Sequence, residues 1–120
     1  MTRTILTVDD STSMRQMVKA TLLSAGYGVV EAANGQEALD FARDNAVDLV
    51  ISDVNMPRMD GITLIGELRQ LPGYRLVPML MLTTESSQEK KMEGKRAGAT
   101  GWIVKPFNPV QLLETLKRLL

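Results

Sequence analysis

Residues 49–61 read LVISDVNMPRMDG, and this stretch decides the fold class of the chain. Its first residues, 49–52, form a largely apolar run that leads directly into the carboxylate of Asp53. Apolar runs without in-and-out alternation are typical of strands covered on both faces, as in a parallel α/β sheet. A carboxylate at the end of such a strand is either an ordinary strand exit or the reactive group of a site.

Strand-like runs of the same kind recur along the chain, separated by segments with apolar residues at helical spacing. Strands are predicted at residues 4–8, 28–32, 49–52, 78–82 and 101–104. Helices are predicted from Ser13 to Gly26, after Gly35, over 61–71, over 86–97 and from Asn108 onwards, with Ser13 and Gln16 as a capping box. This alternation predicts a three-layer α/β fold, in which a five-stranded parallel sheet lies between helices.

Composition narrows the classes of function that the chain can serve. Its 120 residues fit a single domain, 1–120, and the last predicted helix reaches residue 120, so we expect no room for an output domain. Fourteen basic side chains balance fourteen acidic ones, so nucleic acid is not an expected partner. Cysteine and histidine are absent, which excludes thiolate metal sites and histidine bases. With no membrane-spanning run and no signal peptide, we expect a cytoplasmic monomer that does not insert into membranes.

The predicted topology brings several reactive side chains to one place. Parallel strands present their C-terminal ends at one edge of the sheet, and ligands bind in the crevice there. The polar side chains that follow the predicted strands are Asp9, Asp10, Asp53, Thr83, Thr84 and Lys105. Each close pair of carboxylates repels by roughly 1–4 kcal/mol. Neutralising partners are therefore expected, and Lys105 and a hard divalent cation would supply them.

The chemistry of such a site follows from its ligands. Oxygen ligands without histidine or cysteine favour Mg²⁺ or Mn²⁺ over zinc. A carboxylate beside such a cation can attack a phosphoryl group and form an acyl phosphate. The cation and a lysine would neutralise the equatorial oxygens, and a hydroxyl would hydrogen-bond one of them.

Four motifs occur in order along the chain: VDDS at 8–11, DVNMPRMDG at 53–61, LTT at 82–84 and KPF at 105–107. With these motifs the whole chain resembles the receiver domain of bacterial response regulators, and most of all the stand-alone receivers of chemotaxis. The resemblance implies a flavodoxin-like fold with strand order 2-1-3-4-5. It also implies a signalling switch that catalyses only its own phosphorylation and dephosphorylation, and is not otherwise an enzyme.

The resemblance assigns roles at the phosphorylation site. Asp53 would take the phosphoryl group from a histidine kinase, and Lys105 would bind that group. Mg²⁺ would be held by Asp9, Asp10, Asp53 and the main-chain carbonyl of Asn55. Asn55 and Glu85 would tune how fast the acyl phosphate hydrolyses.

The resemblance also assigns a switching mechanism. Thr83 would swing towards the phosphoryl oxygen, the aromatic side chain of Trp102 would follow it inward, and the Lys105–Pro106 bond would be cis. The output surface would be the fourth helix, fifth strand and fifth helix, including Lys91, Trp102 and Val104. The implied partners are a histidine kinase, an output target such as a flagellar motor switch protein, and a phosphatase.

Two residues are unusual at their positions, one for the family and one for a helix. Trp102 stands where tyrosine or phenylalanine is commoner in the family, so we expect the larger indole to hinder the inward swing. Gly94 lies in the middle of the fourth predicted helix, where it costs about 1 kcal/mol relative to alanine. This cost predicts a mobile helix.

Other functions remain open at this point. A receiver of this kind can serve as a phosphate sink or a phosphorelay shuttle, or as a binding module that works without phosphorylation. An aspartate-based phosphotransferase is a third class, but its D-x-D motif would need an acid where Asn55 stands.

Overall fold

The structure is a computed structural model that describes residues 2–84 and 88–120. Within these ranges strands and helices alternate along the chain. The strands are β1 (Thr4–Val8), β2 (Gly28–Ala32), β3 (Leu49–Asp53), β4 (Met79–Thr83) and β5 (Gly101–Val104). The helices are α1 (Thr12–Ser24), α2 (Gly35–Asp44), α3 (Gly61–Leu68), α4 (Gln88–Ala97) and α5 (Pro109–Leu119), with a 3-10 turn at Pro72–Tyr74.

The strands form one parallel sheet in the order β2-β1-β3-β4-β5, which confirms the predicted fold class. In the register of this sheet, Val8 pairs with Ser52, Asp53 with Leu82 and Thr83 with Val104. Because all the strands run in one direction, their C-terminal ends lie at the same edge. The edge formed by residues 8, 53, 83 and 104 is called the carboxyl edge below.

The sheet divides the core into two clusters. Helices α1 and α5 cover one face and bury Val18, Leu22, Leu112 and Leu116 against β1, β3 and β4. Helices α2 and α3 cover the other face with side chains that include Leu39, Leu64, Ile65 and Leu68. Strands β3 and β4 are buried along their whole length, which explains why their sequences show no in-and-out alternation.

The start of α1 differs from the predicted capping box. The N-cap is Ser11, whose Oγ accepts a hydrogen bond from the backbone N–H of Met14, and Thr12 and Ser13 already belong to the first turn. Three successive hydroxyl residues, 11–13, all suit an N-cap, so the pairing of Ser13 with Gln16 did not identify the right one. The prediction of Ser13 as the cap was wrong.

The end of α3 also differs from the prediction. The helix ends at Leu68, not at residue 71. Leu71 is extended, with φ −77° and ψ 135°, because a residue before proline is pushed out of the helical region, and Pro72 then starts the 3-10 turn. Strand ends shift by single residues: Asp53 and Thr83 are the last residues of their strands, and β4 begins at Met79. The predicted start of the fourth helix at residue 86 lies outside the described residues.

Arg69, just beyond α3, ties three segments together. Its guanidinium donates to the carbonyl of Gly98 from Nε (3.1 Å) and Nη2 (2.7 Å). Its Nη1 donates to the carbonyls of Tyr74 (2.8 Å), Arg75 (3.2 Å) and Val77 (2.7 Å). The C-terminal end of α4 is therefore fixed to the segment that leads into β4. This network lies at the opposite edge of the sheet from residues 8, 53, 83 and 104.

Candidate functional site

An acidic cluster lies at the carboxyl edge. Asp9 follows β1 directly and is 4% exposed, and Asp53 ends β3 and is 5% exposed, whereas Asp10 is exposed. One carboxylate oxygen from each of these three residues lies within 4.8 Å of the other two. The sequence separates Asp53 from Asp9 and Asp10 by more than forty positions, and the parallel sheet brings them together.

Lys105 is the positive group of this cluster. Its Nζ lies 3.0 Å from Oδ1 of Asp53 and 3.3 Å from Oδ2 of Asp9. Lys105 directly follows β5, and its backbone is fixed to the end of β4, because its N–H donates to the carbonyl of Thr83 at 2.8 Å. One ammonium group thus faces two buried carboxylates, so the described part of the site keeps an excess of negative charge.

Burial and the neighbouring charges shift the pKa values of both Asp53 and Lys105. Burial raises the pKa of Asp53, the hydrogen bond from Lys105 opposes that rise, and the charge of Asp9 adds to it. Burial by itself lowers the pKa of Lys105, but its hydrogen bonds and ion pairs with Asp53 and Asp9 outweigh burial and raise that pKa. Lys105 therefore stays charged, while the negative charge on Asp53 is disfavoured.

The donor set fits a hard divalent cation. Oδ2 of Asp9 is buried, and the ammonium group of Lys105, 3.3 Å away, is its one partner among the described residues. The other oxygen of this carboxylate accepts from the backbone N–H of Ser11 at 2.9 Å, which fixes its orientation. Carboxylate oxygens that converge without nitrogen or sulfur ligands suit Mg²⁺.

Asn55, Thr83 and the peptide bond after Lys105 complete the carboxyl edge. The backbone N–H of Asn55 donates to the carboxylate of Asp53, and its side chain is exposed. Thr83 is fully buried at the end of β4, beside the last residue of β5 in the register. The Lys105–Pro106 peptide bond is cis. Glu85, which was also assigned to this region, lies outside the described residues.

The residues assigned to the output surface lie along β5 and α4. Trp102 and Val104 are two positions apart on β5, so their side chains share a face of the sheet. Lys91 lines one groove with Trp102 between α4 and β5, and Val104 is 50% exposed. In the part of the chain that the structure describes, strand β5 pairs only with β4 and forms an edge of the sheet.

Two further residues support the site, and the sequence did not single them out. Arg15 on α1 donates from Nη1 to the main-chain carbonyl of Asp9 at 2.6 Å, and Glu31 lies 3.6 Å from its Nε. Gly61 begins α3 directly against the carbonyl of Asp53, where any Cβ would overlap that oxygen. Arginine is common on helix surfaces, so Arg15 carried no sequence signal. Gly61 ends the motif at 53–61 and was predicted as a helix start, but nothing in the sequence indicated its contact with the carbonyl of Asp53.

Comparison with known proteins identifies the family of the chain. The chain belongs to the family of response regulator receiver domains, and the family match covers residues 5–117. Receiver domains are signalling switches. Within the described residues, no helix has both the length and the apolar character needed to cross a membrane.

Among its relatives are chemotaxis proteins. The chain is 40% identical to a chemotaxis protein CheY homolog of Campylobacter jejuni, across 97% of this chain and 91% of that protein. The solved structure of chemotaxis protein CheY4 of Vibrio cholerae has a TM-score of 0.96 and 55% identity, with 100% of both chains covered. The receiver domain of sensor histidine kinase PA1611 of Pseudomonas aeruginosa has a TM-score of 0.92 and 29% identity, across 99% of this chain and 98% of that one. That structure has a magnesium ion coordinated in its active site cleft.

Proposed function

We propose that this chain is a phospho-acceptor switch of a two-component system, in which Asp53 takes a phosphoryl group from a histidine kinase. The observation that carries the proposal is the meeting of Asp9, Asp10, Asp53 and Lys105 at one edge of the sheet. A buried carboxylate beside a lysine and a cation site has both the nucleophile and the charge needed for phosphoryl transfer.

The proposed cofactor is Mg²⁺, with Mn²⁺ as an alternative of similar ligand preference. Asp9, Asp10 and Asp53 would hold it through their carboxylates, and Asn55 through its main-chain carbonyl. The magnesium in the related receiver of PA1611 supports this assignment. When bound, the cation would neutralise charge on the oxygens of the phosphoryl group.

The remaining chemistry belongs to side chains of the chain itself. An oxygen of Asp53 attacks the phosphorus of a phosphohistidine, the phosphorus–nitrogen bond breaks, and the histidine nitrogen of the kinase keeps the electron pair. Lys105 stabilises the negative charge of the transferred group, and the hydroxyl of Thr83 donates a hydrogen bond to one of its oxygens. Water later attacks the acyl phosphate, releases inorganic phosphate and restores Asp53.

Phosphorylation would be transmitted along β4 and β5 to the output surface. An acyl phosphate adds roughly two negative charges at the carboxyl edge. To move a population from about 1:99 to 99:1, it must favour the active state by roughly 5.5 kcal/mol, which a few charge-assisted hydrogen bonds can supply. We propose that Thr83 and Trp102 move in response and alter the surface that contains Lys91 and Val104.

The relatives named above support a role in chemotaxis. We propose a cytoplasmic protein that receives its phosphoryl group from a chemotaxis histidine kinase, acts on a target such as a flagellar motor switch protein, and is reset by hydrolysis or by a phosphatase. Asn55 and Glu85 are the proposed tuning positions for hydrolysis.

Mass spectrometry after incubation with acetyl phosphate and Mg²⁺ tests the acceptor. We expect a gain in mass of one phosphoryl group that Asp53→Asn abolishes and that the matched variant Asp44→Asn, an exposed aspartate on α2, retains. A gain that survives Asp53→Asn would contradict the assignment. Binding of Mg²⁺ without any gain in mass would favour a module that works unphosphorylated, and steady turnover of a phosphomonoester would favour a phosphotransferase.

A further inference from the structure

Gly94 lies in the middle of α4, at a place where a side chain would meet Trp102. It is the buried residue of this helix, although glycine offers no apolar side chain to bury. A Cβ built on Gly94 would overlap Cζ2 of Trp102 and would lie 2.8 Å from Cη2 and 3.4 Å from Cε2. The three heavy atoms nearest to that Cβ therefore all belong to one indole.

This contact explains why α4 has glycine at this position. Apart from proline, glycine has the least favourable propensity for a helix interior. Its presence in α4 therefore needs a compensating gain in stability or function. Carbon atoms in contact prefer separations of about 3.5–4.0 Å, so alanine at position 94 could be accommodated only if the indole or the helix moved. Without a side chain there, the six-membered ring of Trp102 packs directly on the backbone of α4.

The C-terminal end of α4 is fixed by a contact that does not involve Trp102. The carbonyl of Gly98, just beyond the helix, accepts two hydrogen bonds from Arg69. A displacement of the indole would therefore act on a helix whose C-terminal end is fixed, and would move its N-terminal part most. Lys91 belongs to that part, and it lines the groove that Trp102 also lines.

We propose that Gly94 is a positioning residue, which seats the indole of Trp102 against α4 and makes the place of this helix depend on the orientation of that side chain. The evidence for the contact between Gly94 and Trp102 is their packing, and it does not depend on the proposed function. Its use in signalling rests on the proposed function, because it requires that Trp102 respond to phosphorylation. In that case Gly94 allows a residue as large as tryptophan to work at this position of β5.

The contact of the Trp102 indole with the backbone of α4 at Gly94 is called the seat below. A double-mutant cycle of Gly94→Ala and Trp102→Ala tests it by thermal unfolding. In the wild-type background we expect Gly94→Ala to lower Tm, because the new methyl group meets the indole. In the Trp102→Ala background the same change is expected to raise Tm by about 4 °C, because only the helix propensity of alanine remains. A change of the same sign in both backgrounds would overturn the proposal.

Gly66 provides the matched control. It lies inside α3, and a Cβ built on it would have no heavy atom within 4 Å. Gly66→Ala is therefore expected to raise Tm in both backgrounds. If Gly94→Ala alone does not fold, the double variant decides: a Tm above that of Trp102→Ala supports the seat, and failure of the double variant to fold rejects it.

Tryptophan fluorescence separates the seat from its role in signalling. Trp102 is the one tryptophan of the chain, so its emission reports this contact directly. Without any phosphoryl group, Gly94→Ala is expected to shift the emission to longer wavelength, whereas Gly66→Ala is expected to leave it unchanged. An unchanged emission in Gly94→Ala would reject the seat.

Beryllofluoride with Mg²⁺, which mimics the phosphoryl group, then tests the signalling role. We expect it to change the emission of the wild type, and the change to be smaller in Gly94→Ala. No response in the wild type would reject coupling of Trp102 to the phosphorylation site while leaving the seat in place. Equal responses in both proteins would reject the role of Gly94 in signalling.

Discussion

The ammonium group of Lys105 lies 3.0 Å from Oδ1 of Asp53, and this one positive group leaves the acidic site incompletely neutralised. Asp9 shares the same ammonium group at 3.3 Å, so two buried carboxylates depend on one cation. The stability of the protein without metal should therefore respond to changes at either partner of this pair.

Asp53→Asn is expected to stabilise the protein near neutral pH. Burial raises the pKa of Asp53 above its ordinary value of 3.8, with the charge of Asp9 acting in the same direction. The folded state thus holds this proton more tightly than the unfolded state, and the charged form costs stability once the pH exceeds 3.8. We expect a gain of about 1 kcal/mol in the free energy of unfolding, the size of one like-charge contact in a hydrated site.

The pH dependence of this gain can be measured by urea unfolding in EDTA. The gain should be present at neutral pH and should shrink as the pH falls through the raised pKa of Asp53 towards 3.8. A gain that is equally large near pH 4 would show that removal of the charge is not its cause. Asp44→Asn, at an exposed position, is expected to change little under either condition.

Lys105→Met is expected to destabilise the protein in the absence of metal. It leaves Asp9 and Asp53 without their shared cation, which should cost about 2 kcal/mol, less than the loss of one partner from a fully buried pair. Saturating Mg²⁺ should recover part of the loss, because it takes over the neutralisation. Urea unfolding with and without Mg²⁺ measures this, with Lys117→Met on the exposed side of α5 as the control. An identical loss in both conditions would contradict the placement of the cation beside Asp9 and Asp53.

Ser11→Ala should cost more than Ser13→Ala. Ser11 accepts the hydrogen bond that caps α1, and loss of an N-cap side chain typically costs about 1 kcal/mol. Ser13 lies inside the first turn and is exposed, so its replacement should stay within about 0.5 kcal/mol. Thermal unfolding of the two variants is sufficient to compare them, and a larger loss in Ser13→Ala would assign the cap to Ser13 after all.

Arg69→Lys should destabilise the protein although the charge is kept. Lysine cannot reproduce a planar fork that reaches the carbonyls of Gly98, Tyr74, Arg75 and Val77 at once. We expect a loss of about 2 kcal/mol in chemical denaturation, because several carbonyls, most of them partly buried, lose their donors. Arg43→Lys, whose ion pair with Asp40 is exposed, should lie within about 0.5 kcal/mol of the wild type.

The sequence predicted the strands better than the helix ends. Strands β1, β2 and β5 have the predicted bounds, because each is a short apolar run between turn-forming residues. The start of α1 was misplaced because Ser11, Thr12 and Ser13 are chemically similar as caps. The extended backbone of Ser11 and the hydrogen bond that its Oγ accepts from Met14 distinguish it, and both are known only from the fold. The end of α3 depends on the competition between an apolar pattern that continues to Leu71 and the constraint imposed by Pro72.

The site also has features that the sequence could predict and features that it could not. The meeting of Asp9, Asp53 and Lys105 follows from strand direction alone, so it could be inferred before any coordinates. The contacts of Gly94 and Gly61 could not, because a glycine in a sequence does not show which atom occupies the space that its missing side chain leaves. From the sequence, Gly94 indicated only a weakened and mobile helix, whereas in the fold it lies under an indole.

The sheet that separates the two apolar clusters also separates the effects of substitutions. Val18 and Leu22 pack on one face and Leu64 and Leu68 on the other, with no shared cluster between them. Substitutions without common partners usually add in free energy, whereas neighbours on one face interact. Substitutions in one layer of helices are therefore expected to add in free energy to substitutions in the other, so either layer could be redesigned by itself.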